Sequence, residues 1–441
     1  MRFYPKICGE SRQNTFKQGP SEQAENIFGR AAAPSRLCEE EKKMRPLEGV
    51  TVLDLTRVVA GPFATMIMAD LGARVIKIEN PRDPDYTRDF EPYLIDDDKR
   101  QSAFFAQYNR NKEAITLNLK EEKAKEIFRE LAKKADIVVE NYRAGVMDKL
   151  GVGYEDLRRY NPKLVYTAIS GFGQKGPYSS WPAYDNSGQA LSGLWSLNGM
   201  PGEPTRIGTI IGDLAATFFG TIGTLAAYIH AQKTGKGQLV DVAQLDSSLA
   251  LTENAVSNYT VGNQVQQPLG NDHPLCRPYG KFKAKDGYVF FGGYTDRFWK
   301  TTCEFFGEPE LLSDPEIDTM TKRFNEEIYN RRILPKVNQW FSQYTCQELQ
   351  DALAEKLPLT AIHSMDQVLE DPQLNFREMV IDYSYGKASG KLFGNPIKMS
   401  LTPCDTSGAA PEIGQDNVSI YGQMLGLKKD DIEKLAKEGV L

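Results

Sequence analysis

The feature that most constrains the fold is a regular alternation of short apolar runs with helical patterns, which begins near residue 44. Buried strands are predicted at residues 49–55, 74–79, 114–119, 136–141 and 164–170. Helices are predicted between them at residues 61–73, with Pro62 in the first turn, and at residues 121–134. This alternation predicts an α/β fold: a doubly wound, Rossmann-like large domain on a parallel sheet, with a smaller α/β domain.

Composition changes along the chain predict its domain boundaries. Pro268, Gly270, Pro274 and Pro278 mark a break, and a second, smaller α/β unit follows it. We therefore predict a large domain at residues 44–235 plus about 375–441, a linker helix at 236–265 and a small domain at 266–374.

Residues 1–43 differ from the rest of the chain. They are polar, contain no apolar stretch of signal-peptide length, and carry too many acids for a mitochondrial presequence. We predict a disordered extension, or one that is not native if synthesis begins at Met44. The expected location is the cytoplasm rather than the mitochondrial matrix.

Composition excludes several classes of function. The net charge of -6 argues against nucleic acid as a partner, because neutralising phosphates needs a basic face. The six cysteines are scattered, with no C-x-x-C pair and no histidine at ligand spacing, so we expect free thiols and no metal site. With only three histidines, the chain has few candidates for the histidine of a catalytic triad.

The most hydrophobic run, residues 214–231, approaches the length of a membrane span. It contains two glycines, three threonines and His230, and no second run of this kind exists. We therefore predict a buried core helix and no membrane association.

Glycine patterns argue against a bound dinucleotide. The turn after the first strand reads TRVVAGPFA, which lacks G-x-G-x-x-G, and no P-loop is present. Polar residues nevertheless follow several strands, among them Asn80, Asn118, Lys120, Asn141, Tyr142 and Arg143. Each alone is typical of a solvated loop, but together with Arg110 and Lys112 they indicate a ligand that bears phosphate.

Asp213, in the segment IIGDLAAT, stands directly before the apolar helix. One interpretation is a helix N-cap, since aspartate accepts hydrogen bonds from free backbone N–H groups. The other is a nucleophile that the helix N-terminus keeps ionised. An aspartate with an ordinary pKa of about 4 is ionised at neutral pH and needs no histidine to activate it.

These motifs resemble a known enzyme family. From RPLEGVTVLDLTRVVAGPFATMIMADLGARVIKIE through NRNKEAITLNLK, DIVVENYRAGVMDKLGVGYEDL, YDNSGQALSG, GDLAAT and KTGKGQLVDVAQLDS, the chain is similar to class III CoA-transferases. This is the formyl-CoA/carnitine CoA-transferase family. The resemblance runs from about residue 45 to the C-terminus.

The resemblance implies a role for individual residues. Asp213 matches the catalytic nucleophile. The matching coenzyme A contacts are Val59, Ala60, Asn80, Leu117, Asn118, Lys120, Asn141, Tyr142, Arg143, Lys149, Tyr184 and Asp185. Formyl-CoA transferases usually carry a basic residue at the position of Asn80, so Arg82 or Arg88 is the alternative phosphate contact here.

The resemblance also implies a reaction. CoA moves from an acyl-CoA to a free carboxylic acid, here a small dicarboxylate, through an aspartyl anhydride and an aspartyl-CoA thioester. No tightly bound cofactor is expected, because the CoA thioester is a substrate. The implied assembly is an interlocked homodimer.

Two alternatives remain open on sequence. An α-methylacyl-CoA racemase needs two acid/base groups, and that branch is expected to carry histidine where this chain has Tyr184, a poor base at neutral pH. The other alternative is a CoA-binding protein without catalysis, against which the intact Asp213 argues.

Overall fold

A parallel sheet of six strands forms the centre of the computed structural model, which describes residues 44–441. Its strands are β1 (Thr51–Asp54), β2 (Arg74–Glu79), β3 (Glu113–Thr116), β4 (Ile137–Glu140), β5 (Val165–Ser170) and β6 (Leu239–Ala243). The spatial order is β6-β5-β4-β1-β2-β3, with every neighbouring pair parallel. This is the strand order of a Rossmann domain, and it reverses between β1 and β4. The predicted parallel α/β sheet is confirmed.

The predicted and observed strand ends differ most at β3, which ends at Thr116 rather than at residue 119. The N–H of Asn118 donates to the carbonyl of Val440 at 2.8 Å. The chain therefore leaves the sheet to pair with the C-terminal segment, and this long-range contact has no signal in the local sequence.

Hydrophobic clusters cover both faces of the sheet. Side chains of a strand alternate between faces, so Val52 belongs to one cluster and Leu53 to the other. Helix Glu122–Ala132 and the C-terminal helices Asn417–Leu425 and Lys429–Lys437 cover the Leu53 face. The Val52 face is covered by two further helices, Ala60–Asp70 and Ile211–Thr234.

A smaller antiparallel sheet has a hydrophobic cluster of its own. It consists of β7 (Gly280–Lys283), β8 (Tyr288–Phe291) and β9 (Leu359–Ala361). Phe282, Phe291 and Phe341 pack edge to face in this cluster. The described residues group as one unit by their contacts, and the predicted domain boundaries stay a prediction.

The other elements are short. Three hairpins pair Tyr93–Asp96 with Lys99–Ser102, Gly199–Met200 with Glu203–Pro204, and Val380–Tyr385 with Ala388–Phe393. The other α-helices are Ala103–Asn109, Val146–Lys149, Tyr154–Leu157, Asp185–Leu191, Leu194–Leu197, Gln244–Ala250, Ala255–Thr260, Asp296–Phe305, Met320–Arg323, Glu326–Ile328, Leu334–Phe341, Cys346–Leu353, Met365–Leu369 and Pro372–Phe376. Single turns of other helix types span Tyr86–Asp89, Pro309–Ser313 and Tyr329–Ile333. The predicted N-terminal extension lies outside the described residues.

The long apolar helix, Ile211–Thr234, is long and apolar enough to cross a membrane by length and composition. One side of it packs on the sheet through Ala216, Ala227 and Ala231. The other side is exposed, with Phe218, Phe219, Ile222 and Ile229 between 42% and 63% accessible. The prediction of a buried core helix therefore holds for one face only.

Arg110 and Lys112, which the sequence indicated as phosphate contacts, are buried in ion pairs instead. The Arg110 guanidinium donates to both carboxylate oxygens of Asp70, at 3.2 and 2.7 Å. The Lys112 ammonium donates to Asp54 at 2.9 Å, and its burial lowers the pKa of this lysine to about 8. The phosphate role predicted for these two residues is wrong, because sequence does not distinguish a loop charge from a buried pair.

Arg110→Met should lower the free energy of unfolding by about 3 kcal/mol, since it leaves the buried Asp70 carboxylate without its cation. Arg100→Met is the matched control, because Arg100 and Asp89 form an exposed pair, and it should cost less than about 1 kcal/mol. Urea unfolding followed by circular dichroism measures both. Equal losses in the two variants would contradict the structural role of Arg110.

Candidate active site

A cleft with an empty volume of about 730 Å³ opens at the carboxyl end of the sheet. It lies where β1 and β4 diverge, the position at which open α/β sheets bind ligands. Seven of the residues singled out from sequence line it: Val59, Ala60, Asn141, Tyr142, Arg143, Tyr184 and Asp213. The fold thus brings together residues that are up to 154 positions apart in the chain, from Val59 to Asp213.

The turn after β1 forms one wall of the cleft and has an unusual backbone. Val58 has φ of 71°, a left-handed conformation that is rare for a β-branched residue. Its N–H donates to the Asp85 carboxylate at 3.1 and 3.3 Å. The buried Lys77 ammonium donates to the Thr56 carbonyl at 2.8 Å and to Asp85 at 3.3 Å. These contacts hold a strained turn in place.

Asn141 fixes the same turn from the side of β4. Its side-chain oxygen accepts from the Arg57 N–H at 2.8 Å, and its amide nitrogen donates to the Arg57 carbonyl at 2.8 Å. The side chain therefore joins the two loops at the point where the strand order reverses. In this arrangement Asn141 positions the cleft wall through its amide.

Asp213 is not the N-cap of its helix, in contrast to one interpretation of the sequence. The helix begins at Ile211, so Asp213 is its third residue. The capping acceptor comes from Asp185, whose Oδ1 accepts from the N–H groups of Gly212 at 2.7 Å and Asp213 at 3.3 Å. The Asp213 side chain is thus left to face the cleft.

The electrostatics of Asp213 also differ from expectation. Burial and, to a smaller extent, the nearby Asp185 carboxylate raise the pKa of the carboxyl group to about 7, against a hydrogen bond from Gln244 that lowers it. The expectation of an ordinary pKa held down by the helix N-terminus is therefore wrong. Desolvation outweighs the helix dipole at this position.

Gln244 is a site residue that sequence reasoning missed. It follows β6 directly, lines the cleft, and donates its amide to Asp213 Oδ1. Its own side-chain oxygen is buried without a hydrogen-bond partner among the described residues. The available signal was a polar residue at the end of an apolar strand, in the segment VDVAQLD.

A second cleft, with an empty volume of about 660 Å³, lies at the carboxyl ends of β1, β2 and β3. Asn80, Leu117 and Lys120 line it, and Tyr142 lines both clefts. Burial raises the pKa of Tyr142 to about 12, so this tyrosine stays protonated at neutral pH. The two clefts together therefore offer an extended site with Tyr142 between them.

Three of the residues singled out from sequence do not line either cleft. Asn118 is buried and its amide donates to the Gly439 carbonyl at 3.2 Å. Lys149 is exposed outside both clefts, and Asp185 serves as the cap described above. Arg82 and Arg88 were the alternative phosphate contacts. An Arg88 guanidinium nitrogen lies 2.6 Å from a Glu79 carboxylate oxygen in an ion pair, whereas the Arg82 side chain is exposed.

Fold and site together define an α/β enzyme with a desolvated carboxylate at the ligand-binding edge of its sheet. The model of CoA-transferase family III matches residues 47–417, and the chain belongs to this family.

Named relatives cover nearly the whole chain. A succinyl-CoA:mesaconate CoA-transferase from Haloarcula hispanica is 35% identical over 86% of this chain and 96% of its own. An acetyl-CoA:oxalate CoA-transferase from Acetobacter aceti is 37% identical over 81% and 90%. A succinyl-CoA:glutarate CoA-transferase from Homo sapiens is 33% identical over 94% and 94%. The chain is therefore a CoA-transferase, and CoA thioesters are the substrates of this class.

A solved structure supports the same assignment. The crystal structure of a CAIB/BAIF family protein from Brucella suis superposes with a TM-score of 0.78 at 31% identity, over 86% of this chain and 100% of that one. Within residues 44–441, no group of three His, Cys, Asp or Glu side chains is placed to hold a metal ion.

The pKa of Asp213 predicts the pH dependence of the reaction. On the expectation from sequence that Asp213 is the nucleophile, only its ionised carboxylate reacts, so kcat/KM should rise with pH through a midpoint near 7, with about a tenth of the plateau one pH unit below it. Gln244→Met should move this midpoint upward, because the donor that favours the ionised form is lost. Rates from pH 5 to 9 measure both effects.

Gln238→Met is the matched control for this prediction. Gln238 is exposed and lies just before β6, at the end of the strand opposite to the cleft. It should leave the midpoint unchanged. An unshifted midpoint in Gln244→Met would show that Gln244 does not tune Asp213.

Proposed function

We propose that Asp213 carries CoA between two carboxylic acids as a covalent nucleophile. Its carboxylate attacks the donor thioester carbonyl, which forms an acyl-aspartyl anhydride and releases CoA as the thiolate. The thiolate then attacks the aspartyl carbonyl, which gives an aspartyl-CoA thioester and frees the donor acid. The position of Asp213 in the cleft, with one oxygen held by Gln244, is the observation that carries this proposal.

The second half of the reaction reverses the first with a new acid. The acceptor carboxylate attacks the aspartyl thioester, so that an acceptor-aspartyl anhydride forms and the thiolate leaves again. The thiolate attacks the acceptor carbonyl, and the new acyl-CoA and free Asp213 result. In an alternative order, the acceptor acid exchanges at the anhydride before the thioester forms.

A carboxylate suits this chemistry better than a hydroxyl would. An anhydride or thioester on Asp213 keeps the acyl group activated, whereas a serine ester would lose most of that activation. Such intermediates hydrolyse readily, so the site has to exclude water during the reaction. The burial that raises the pKa of Asp213 is consistent with this requirement.

The two clefts joined at Tyr142 support an extended binding mode for CoA. Lys120 and Arg143 line separate clefts and are exposed, which suits contacts with phosphate groups. Helix Ala60–Asp70 begins at the first cleft, and its first N–H groups have no acceptor within the helix. These donors favour a negatively charged group at this position.

For the substrates we propose short dicarboxylates, with succinyl-CoA as the donor. The support comes from the relatives described above, whose names give mesaconate, oxalate and glutarate as acids beside succinyl-CoA and acetyl-CoA. We also propose the cytoplasm as the site of action, which follows from the sequence alone.

Exchange of labelled acid into acyl-CoA tests the mechanism and the substrate class together. With succinyl-CoA as donor, dicarboxylates such as glutarate should react at least ten times faster than monocarboxylates of equal length. Asp213→Asn should abolish exchange, because an amide is not a nucleophile, and should retain CoA binding by calorimetry.

Asp246→Asn is the control for this experiment, since Asp246 is an exposed aspartate on the helix that Gln244 begins. It should exchange at the rate of the unchanged enzyme. Full activity in Asp213→Asn would refute the nucleophile, and loss of CoA binding in that variant would point to a binding role instead.

We propose that the chain works as a homodimer. One face of helix Ile211–Thr234 is apolar and exposed. Other large apolar residues are exposed as well, namely Leu249, Leu251, Val256 and Tyr259. Exposed apolar surface of this extent is typical of a protein interface. Light scattering should give twice the chain mass of 49.4 kDa, and Ile222→Glu should shift the mass toward the monomer. A monomeric, active enzyme would contradict the proposal.

A further inference from the structure

A third cavity, with an empty volume of about 670 Å³, shares no lining residue with the two clefts. It lies between β4, β5 and the helices that follow β4. We name it the Glu140 cavity, after its deepest charged group. The polar and aromatic residues that line it include Glu140, Asp148, Tyr154, Tyr166, Gln174 and Lys175.

Two buried polar groups of this cavity lack hydrogen-bond partners among the described residues, and a buried carboxyl group beside them lacks a cation. Glu140 is only 3% exposed and forms no ion pair there; its Oε2 accepts from the Tyr142 N–H at 2.7 Å. The Tyr166 hydroxyl, on a residue 2% exposed, has no hydrogen-bond partner. The Gln174 amide nitrogen is also buried without an acceptor. Each unsatisfied group costs about 1–3 kcal/mol, so two of them beside a buried carboxyl group indicate a place for a polar ligand.

The charge of the cavity defines the ligand. Burial, together with the smaller effect of the Asp148 and Asp241 carboxylates, raises the pKa of Glu140 to about 8, although the hydrogen bond from the Tyr142 N–H lowers it. The titratable and charged groups facing Glu140 come from its own loop, from β5 and from β6: Tyr142, Asp148, Glu155, Tyr166, Lys175 and Asp241. Lys175 is the basic member of this set and is exposed at the mouth. Near neutral pH Glu140 is therefore mostly protonated, with the Asp148 and Asp241 carboxylates near it, and this set includes no buried cation.

We propose that the Glu140 cavity binds a small protonated amine, with its ammonium group beside Glu140 and its polar remainder at Tyr166 and Gln174. The rings of Tyr154 and Tyr166 lie 6.2 Å apart by their centroids and provide aromatic surface of the kind that attracts ammonium groups. A metal ion fits less well, because the acidic side chains of residues 44–441 do not converge as a metal-binding group.

Occupancy of the cavity is coupled to the active site by one short connection. Glu140 accepts from the N–H of Tyr142, and Tyr142 lines both clefts of the active site. An ammonium group beside Glu140 favours the ionised carboxylate, which strengthens this hydrogen bond. The amine therefore acts on the position of Tyr142.

The test is calorimetric titration of the full chain with ethanolammonium chloride at pH 7.5. The solution contains sodium chloride and only a trace of phosphate, because Tris is itself an amine and a concentrated buffer would absorb the released protons. We expect saturable binding at one site per chain, and release of protons to a pH indicator as Glu140 ionises. Ethylene glycol, a neutral molecule of similar size, should not bind.

Two variants locate the site. Glu140→Gln keeps an acceptor for the Tyr142 N–H and should weaken binding at least tenfold, with no proton release. Tyr166→Phe should weaken it about fivefold, as loss of one hydrogen bond does. Circular dichroism melts check that both fold. Asp213→Asn should bind like the unchanged chain, which separates this proposal from the transfer mechanism.

Three outcomes would overturn the proposal. They are no saturable binding of the amine, equal binding of ethylene glycol, and unchanged affinity with unchanged proton release in Glu140→Gln. The first and second remove the ligand class, and the third removes the site.

Discussion

The turn between β1 and the first helix is the constraint on which the active site depends. Val58 adopts a left-handed backbone there, which costs about 1–2 kcal/mol for a residue with a Cβ. The turn persists because Asp85 and Asn141 hold its backbone from two directions. With this turn fixed, the first cleft keeps its wall, and the helix that starts at Ala60 keeps its N-terminus at the cleft.

Buried ion pairs lie beneath the turn after β1 and stabilise its backbone. Lys77 bonds the Thr56 carbonyl and Asp85, while Lys112 pairs with Asp54, and all of these side chains are fully shielded from solvent. Such pairs recover little more than their own desolvation cost. Their value is geometric: apolar residues of the same volume would fill the space but would not direct hydrogen bonds to the Thr56 carbonyl or the Val58 N–H. Buried ion pairs beneath the turn after β1 are therefore consistent with a turn that has to keep one conformation.

The sequence predicted those features that depend on local patterns. Apolar runs of strand length and the helix signals around Pro62 predicted the α/β sheet. The position of Asp213 at the start of an apolar helix rich in small residues indicated that its side chain faces a ligand site, and it lines the first cleft. What depended on tertiary contacts could not be predicted. Asp185 replaces Asp213 as the cap from 28 residues away, and Gln244 reaches Asp213 from the start of the helix that follows β6. Arg110 was misassigned because its partner, Asp70, lies 40 residues earlier.

The carboxylate of Asp213 stands between two opposing requirements. In the proposed mechanism, full hydration would keep it ionised but weakly reactive and would admit water to the anhydride. Complete burial would keep it protonated at neutral pH and inactive. The observed arrangement lies between them, because desolvation and the Asp185 charge raise the pKa to about 7 while the Gln244 amide opposes them. The Gln244 amide opposes this rise as a neutral donor, without adding a positive charge that would bind the carboxylate tightly and lower its nucleophilicity. Asp213 is therefore about half ionised at pH 7, so a chain with three histidines can offer a desolvated carboxylate as its proposed nucleophile near neutral pH.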